Sequence, residues 1–155
     1  NSLFLLQCFK GLKEKLVLIG EGPEKELYLN YIKDNHMDNV TILPFMKKDE
    51  LFDLYLGADF FITLSKEDIY GHTINEAMAR GLPVISSDKV LAALDIIKNN
   101  INGFVLPLDE EKSIIKAIKD IDTSLAHNAL DSAKSRTVEA MAKEHISIFK
   151  RILER

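Results

Sequence analysis

The sequence predicts an α/β protein, a three-layer α/β/α sandwich with a parallel sheet, because short apolar runs alternate with helical segments of about ten residues. The first apolar run, Leu16–Ile19, contains only Leu, Val and Ile, and residues 20–23 (GEGP) follow at once. An uninterrupted apolar run is typical of a strand that is covered on both faces, as in a parallel sheet. Strands joined by helices form right-handed βαβ units, and such sheets bind ligands at the carboxyl ends of their strands.

The individual elements follow in order from the same patterns. Leu3, Leu6 and Phe9 fall at helical spacing, so we expect the chain to begin inside a helix. Strands are predicted at residues 16–19, 40–43, 59–64, 83–86 and 103–106. Helices are predicted from Pro23 to about His36, from an Asp49 N-cap to Leu56, and at residues 73–80, 92–98 and 110–121. Two further helices are predicted from Leu125 to the end, with a break near Lys143 and Glu144.

The length and composition are those of a single globular domain. The chain has 155 residues, of which 46% are hydrophobic and 28% charged, and its formal charge is −4. No apolar run is long enough to cross a bilayer, and a net negative chain offers no broad basic surface for nucleic acid. With Cys8 as the only cysteine and no signal-peptide pattern, we expect a cytoplasmic protein.

Gly20 and Gly22 directly follow the first predicted strand. Glycines at such a position let the backbone turn tightly and let a phosphate or ribose approach closely. The full G-x-G-x-x-G fingerprint is absent, so a plain strand-to-helix turn explains the pattern equally well. The pattern alone leaves both interpretations open.

The stretch from residue 65 to 84 carries the strongest functional signal. A helix that begins near Thr73 would direct free backbone amides and the positive end of its dipole toward the strand ends, which suits a diphosphate. Gly71 would let the backbone approach that anion, Asp68 would hold sugar hydroxyls, and Glu76 would accept hydrogen bonds from a ribose diol. Thr73 and Glu76 also fit a capping box, in which Glu76 only satisfies a backbone N–H.

The four histidines give weaker signals. His72 either donates to the pyrophosphate or makes a structural hydrogen bond, and the sequence favours neither. His36, His127 and His145 have no acidic or cysteine partners at metal-ligand spacings. We therefore expect no metal site.

Several segments, in order, carry a resemblance to a known family. They read LVLIGEGPEKELY, NVTILPFMKKDELFDLYLGADFFITLS, DIYGHTINEAMARGLPVISS and NNINGFVLP. This run resembles the C-terminal, nucleotide-sugar-binding domain of family 4 retaining glycosyltransferases with the GT-B fold, the glycosyl transferases group 1. Family members carry an acid, seven other residues and Glu, with Gly three positions after the acid, and Asp68, Gly71 and Glu76 match these positions. Asp68 stands where the family usually has Glu.

The resemblance implies a Rossmann-like domain, one half of a GT-B fold, and a role for each matching residue. Glu76 would bind the ribose, and Asp68 would be the catalytic acid that contacts the donor sugar. The donor sugar and phosphates would be held by Ile69, Tyr70, Gly71, His72 and Thr73. The nucleotide pocket would be lined by Gly20, Gly22, Phe45 and Met46.

The same resemblance implies the reaction and the partners. A sugar would pass from a UDP-, GDP- or ADP-sugar to an acceptor hydroxyl with retention, without a cofactor, in polysaccharide, lipopolysaccharide or glycolipid synthesis. We expect residues 1–155 to form one truncated domain with C-terminal helices from about residue 125, while its first strand and an N-terminal acceptor domain precede Asn1. The chain alone would then be inactive or nearly so. The last helix would dock between domains, with contact at the inner face of a membrane as the weaker alternative. A non-catalytic nucleotide-binding or assembly module of the same fold is the alternative function.

Overall fold

The structure is a computed structural model that describes residues 1–154, in which strands and helices alternate. The strands are β1 (Leu16–Ile19), β2 (Val40–Leu43), β3 (Phe61–Thr63), β4 (Val84–Ser87) and β5 (Gly103–Leu106). The helices are α1 (Ser2–Phe9), α2 (Lys25–Asp34), α3 (Lys48–Leu56), α4 (His72–Met78), α5 (Leu91–Ile96), α6 (Glu111–Asp120), α7 (Ala126–Lys134) and α8 (Val138–Leu153), with a 3₁₀ turn at Thr123–Leu125. Every strand that the sequence predicts is present, and so is the helix at the start of the chain.

All strand pairs are parallel, as predicted. β1 pairs with β2, and Leu16 lies opposite Val40. β4 lies between β3 and β5, so that Ile85 is flanked by Ile62 and Phe104. Hydrogen bonds thus divide the strands into a two-stranded and a three-stranded segment.

Two apolar clusters cover opposite faces of β4 and make the molecule a three-layer sandwich. Ile85 belongs to a cluster that also contains Phe9 of α1 and Ile114 of α6. Its neighbour Val84 belongs to a second cluster, with residues of α4, α5 and α7. Since successive residues of a strand point to opposite faces, both faces of β4 are packed, and all four of its residues are buried. The predicted α/β/α architecture is confirmed.

The prediction that β1 is covered on both faces was wrong. Leu16 and Leu18 pack toward the cluster that contains Phe9, but Val17 is 48% exposed and Ile19 is 38% exposed. An uninterrupted apolar sequence reports the character of both faces of a strand. It does not report whether a layer lies against each face, and here only one face of β1 is packed.

Asn102 and Gly103 fix β5 against its neighbours. The buried Asn102 side chain accepts a hydrogen bond from the Lys98 amide (2.7 Å) and donates to the Ile96 carbonyl (3.1 Å). At Gly103 a Cβ atom would lie 2.1 Å from the carbonyl oxygen of Val84 on β4. The Asn-Gly pair of the NNINGFVLP segment is therefore explained by packing.

The break between the last two helices lies earlier than predicted. α7 ends at Lys134 and α8 begins at Val138, so the predicted break near Lys143 and Glu144 was wrong. Thr137 is the N-cap of α8, because its hydroxyl accepts a hydrogen bond from the Ala140 amide at 3.2 Å. No side chain of α8 is buried, and among the described residues no helix is both long and apolar enough to span a membrane.

Candidate functional site

The loops that follow β3 and β4 meet at the carboxyl ends of the three-stranded segment. Asp68, in the loop after β3, forms a parallel bridge with Val90, and its carbonyl accepts a hydrogen bond from the Leu91 amide at 2.9 Å. The Ser87 hydroxyl at the end of β4 donates to the Ser65 carbonyl at 2.6 Å. These two loops are thereby joined where parallel sheets bind their ligands.

The Asp68 carboxylate shapes the turn that leads into α4. Its Oδ1 accepts hydrogen bonds from the backbone amides of Tyr70 (3.1 Å) and Gly71 (2.9 Å). The Oδ2 atom has no hydrogen-bond partner among residues 1–154. Asp68 therefore orders its own loop with one oxygen and leaves the other for a ligand.

Gly71 is required by the packing of this turn. It is the N-cap of α4 and has left-handed backbone angles, φ +54° and ψ +35°. A Cβ atom here would lie 2.6 Å from the Cβ of Ala92 on α5. The sequence suggested that Gly71 allows a ligand to approach, and the structure adds that no other side chain fits between the turn and α5.

The first turn of α4 presents free backbone amides at this edge of the sheet. α4 begins at His72, one residue before the predicted start, and the amides of His72 and Thr73 have no acceptor among the described residues. The amide of Ile74 donates to the Gly71 carbonyl at 2.9 Å. After the helix, Gly81 has a φ of +80° and its amide donates to the Met78 carbonyl.

Glu76 does not form the capping box that the sequence left open. Because the N-cap is Gly71, Glu76 lies beyond the third helical position, and no side chain caps this helix. Its Oε1 forms an ion pair with the Nζ of Lys48 at 2.7 Å. Lys48 is the first residue of α3, and sequence reasoning did not single it out. Its only local signal is its position directly after the predicted nucleotide loop.

The negative charge of Glu76 acts on Tyr55, a buried residue of α3. Burial raises the pKa of the Tyr55 hydroxyl above its usual value, and the nearby Glu76 carboxylate raises this pKa further. Tyr55 also packs edge-on against Phe61 of β3, with ring centroids 6.1 Å apart. Glu76 therefore acts on α3 at two positions, through its ion pair with Lys48 and through the effect of its charge on Tyr55.

His72 stacks on Tyr70 at the rim of the turn. The two rings are nearly parallel, with an interplanar angle of 3° and centroids 5.6 Å apart. Both side chains are exposed, and the His72 imidazole has no hydrogen bond within residues 1–154. The structural hydrogen bond considered for His72 is thus replaced by a ring stack, and the imidazole edge is open to a ligand.

The Gly20–Gly22 turn lines a separate cavity at the carboxyl end of β1. The cavity has a volume of about 370 Å³ and is bordered by Ser2, Ile42 and Tyr28 as well as by the turn. Gly20 has a φ of +135°, and a Cβ atom at Gly22 would meet no atom within 4 Å. Space for a ligand therefore exists beside this turn.

Phe45 and Met46 lie in the loop between β2 and α3. Phe45 is 77% exposed. The predicted Asp49 N-cap was wrong, because the N-cap of α3 is Lys47, whose amide donates to the Glu50 carboxylate at 2.9 Å. The loop thus leads directly into Lys48, the partner of Glu76.

The fold and the loops define a Rossmann-like α/β domain with a candidate site at the carboxyl ends of its strands. The sequence model of the glycosyl transferases group 1 matches residues 3–136. The chain therefore belongs to the glycosyl transferases group 1 family, which confirms the resemblance found in its motifs.

Curated relatives resemble the chain in sequence, and solved structures resemble it in fold. The chain is 27% identical over 136 residues to N-acetyl-alpha-D-glucosaminyl L-malate synthase of Bacillus anthracis. The alignment covers 85% of the chain and 35% of that protein. It matches the structure of sucrose-phosphate synthase from Thermosynechococcus elongatus over 97% of the chain and 42% of that protein, with a TM-score of 0.82 and 20% identity. It also matches the pneumococcal O-GlcNAc transferase GtfA in complex with UDP and GlcNAc over 100% of the chain and 34% of that protein, with a TM-score of 0.80 and 17% identity. The chain spans about a third of the length of the curated relatives it matches first.

Proposed function

We propose that this chain is the donor-binding domain of a retaining glycosyltransferase, which transfers a sugar from a nucleoside-diphosphate sugar to an acceptor hydroxyl. One observation carries the proposal: the family-matching residues Asp68, Gly71 and Glu76 lie on one ordered turn and on the helix that follows it, at the carboxyl ends of parallel strands. The local sequence pattern alone was compatible with two roles for Glu76, a helix cap and a ligand contact. The structure favours the ligand contact, because the capping box is not formed.

The donor sugar and the diphosphate are proposed to bind along the segment from Ile69 to Thr73. The hard step is departure of the nucleoside diphosphate, whose oxygens gain negative charge in the transition state. Amides that already point at this charge stabilise it without reorganisation, and the free amides of His72 and Thr73 are suited to this role. The open edge of the His72 imidazole adds a donor beside them.

Asp68 is proposed to contact the donor sugar through its Oδ2 atom. The Oδ1 atom is held by the Tyr70 and Gly71 amides, so the direction of the carboxylate is fixed before the donor binds. A fixed acceptor loses little rotamer freedom when it binds a hydroxyl.

The nucleotide is proposed to bind with its ribose on Glu76. Its pocket is completed by the Gly20–Gly22 turn and by the backbone of Phe45 and Met46. The cavity beside the glycine turn supplies space, and the exposed Phe45 lies in the loop that leads into the Lys48 and Glu76 pair. No metal or other cofactor is part of the proposal, and the donor is a UDP-, GDP- or ADP-sugar.

The relatives support this class of donor. One relative, 25% identical over 149 residues, is the GDP-mannose-dependent alpha-mannosyltransferase of Corynebacterium glutamicum. The pneumococcal GtfA structure contains UDP and GlcNAc. We place the acceptor-binding groups on an N-terminal domain of the full-length protein, with a role in polysaccharide, lipopolysaccharide or glycolipid synthesis at the cytoplasmic side of the membrane.

The ribose contact is tested by calorimetry on the full-length protein with UDP, GDP and ADP. We expect one of the three to bind, and Glu76→Gln to weaken it about tenfold or more, because a hydrogen bond to a charged group is lost. Glu26→Gln on α2 is the matched control, since Glu26 is exposed and lies outside the site. Equal affinity of wild type and Glu76→Gln would contradict the ribose contact. Failure of all three nucleotides to bind would contradict the donor-binding function.

The catalytic role of Asp68 is tested by Asp68→Asn. Asparagine keeps an Oδ1 acceptor for the Tyr70 and Gly71 amides, so the turn is retained while the negative charge at the donor sugar is lost. We expect unchanged thermal stability and a strong loss of sugar transfer. An unchanged rate of sugar transfer would show that Asp68 only orders its loop, as the non-catalytic alternative requires.

A further inference from the structure

We propose that Lys48 is a positioning residue for Glu76, so that the loop before α3 and the ribose-binding carboxylate act as one unit. This inference rests on the proposed function of Glu76. The Nζ of Lys48 lies 2.7 Å from Oε1 of Glu76, and among residues 1–154 no ion pair or hydrogen bond reaches Oε2. One carboxylate oxygen is thus anchored by the protein and the other is available to the ribose hydroxyls.

A second contact lies close to this ion pair, between α3 and the residues that follow α4. Lys48 and Phe52 are one turn apart on α3, whereas Glu76 lies on α4 and Arg80 lies two residues beyond the last residue of α4, Met78. Lys48 pairs with Glu76, and the Arg80 guanidinium lies over the Phe52 ring, 4.2 Å from its centroid. The Lys48 ammonium itself lies 5.8 Å from the same ring. The Lys48 ammonium therefore has the Phe52 ring as a neighbour in addition to the Glu76 carboxylate.

The place of Lys48 in the chain connects this pair to the proposed base pocket. Lys48 is the first residue of α3, separated from Phe45 and Met46 only by Lys47. The N-terminus of α3 is held by the hydrogen bond from the Lys47 amide to Glu50. A displacement of this loop by a base would therefore be transmitted to the ammonium group that holds Glu76.

The pair is better suited to orienting a ligand group than to stabilising the fold. The Lys48 side chain is 65% exposed and that of Glu76 is 26% exposed. Ion pairs this exposed contribute little to folding stability. A glutamate carboxylate that is free to rotate must lose rotamer freedom when it binds a diol, and Lys48 removes part of that freedom in advance.

The test measures nucleotide affinity in the full-length protein with Lys48→Met, Lys48→Arg, Glu76→Gln and the Lys48→Met/Glu76→Gln pair. Two ligands are compared. The first is the nucleotide among UDP, GDP and ADP that binds most tightly, and the second is the 2′,3′-dideoxy analogue of that nucleotide. Lys112→Met is the matched control, because Lys112 is exposed in the first turn of α6 and has no ion pair in the described part of the chain. Thermal melting of each variant checks the fold.

We expect Lys48→Met to weaken ribonucleotide binding about fivefold without changing the melting temperature, and Lys48→Arg to restore most of this loss. The preference for the ribonucleotide over the dideoxy analogue should fall in Lys48→Met. In the Glu76→Gln background, Lys48→Met should have no further effect, because a positioning residue acts only through its partner.

The outcomes separate this inference from the proposed function. If Glu76→Gln weakens binding and Lys48→Met binds like wild type, the positioning role of Lys48 is wrong and the ribose role of Glu76 stands. The same conclusion follows if Lys48→Met loses the same factor with and without Glu76. If wild type does not discriminate the ribonucleotide from its dideoxy analogue and Glu76→Gln binds normally, the ribose role itself is wrong.

Discussion

Replacing Gly71 by Ala should destabilise the protein through two separable causes. Gly71 has a φ of +54°, and placing an L residue in this left-handed region costs about 1–2 kcal/mol. The added Cβ would also lie 2.6 Å from the Cβ of Ala92, well inside the separation of about 3.5–4.0 Å at which carbon atoms normally touch. Overpacking of this kind costs about 1–3 kcal/mol. The free energy of unfolding should therefore fall by roughly 2–5 kcal/mol.

The Ala92→Gly variant separates the two causes. Alone, it should cost about 0.5–1 kcal/mol, because glycine is less favourable than alanine in a helix. In the double variant Gly71→Ala/Ala92→Gly the overlap is removed and only the backbone strain remains. The double variant should thus lose about 1–3 kcal/mol less than the sum of the two single variants.

Urea unfolding of the three variants, followed by circular dichroism, measures this coupling. Additive free energies would show that the turn moves away from α5 without cost, which would refute the packing explanation of Gly71. Nucleotide affinity of the double variant gives a second measurement. If the turn geometry is what the donor requires, the double variant should bind better than Gly71→Ala alone.

Three further predictions follow from the buried residues Gly103 and Cys8. Gly103→Ala should destabilise the protein strongly, because its Cβ would lie 2.1 Å from the Val84 carbonyl oxygen. The control Gly57→Ala should be tolerated, because Gly57 has a φ of −99° and the nearest contact of its added Cβ would be at 3.7 Å. Equal melting temperatures of the two variants would contradict the close approach at Gly103. Burial, assisted by the charge of Glu111, raises the pKa of the Cys8 thiol from its ordinary 9.0 to about 12. Iodoacetamide at pH 8 should therefore alkylate Cys8 only in the unfolded protein, and modification of the folded protein would refute its burial. The stabilising contribution of the neutral thiol should be complete below about pH 9 and be lost as the pH rises toward 12.

The sequence was sufficient for the strands and for the turn after β3, because both are local signals. An apolar run between turn residues predicts a strand wherever it lies, and β1, β2 and β5 have the predicted limits. Gly71 and Asp68 are three residues apart in one short loop, and this spacing lets the Asp68 carboxylate accept a hydrogen bond from the Gly71 amide. The resemblance to a family added the proposed roles, which local pattern could not assign.

The errors concern properties that depend on the neighbours of an element. The exposure of Val17 and Ile19 depends on which layers pack against β1, and their apolar character is the same in either case. The start of α8 was misplaced because its Thr137 cap lies in a polar stretch with no strong breaker, and helix periodicity continues across it. The Asp49 cap was wrong because α3 begins earlier: its N-cap is Lys47, two residues before Asp49, and the Lys47 amide donates to the Glu50 carboxylate.

Glu76 shows why the candidate site could be only half predicted. Both sequence interpretations of Glu76 used residues close to it in the sequence. The cap rested on its spacing from Thr73, and the ligand contact rested on its spacing from Asp68. Its actual partner, Lys48, lies on a different helix, and no spacing rule connects two residues that meet only because α3 and α4 pack side by side. Sequence spacing identifies the groups that touch a ligand when they share one loop. Groups on another helix that orient the ligand-binding groups can be identified only once the positions of the helices are known. For that reason Lys48 is a sharper test of this site than any residue within the motif itself.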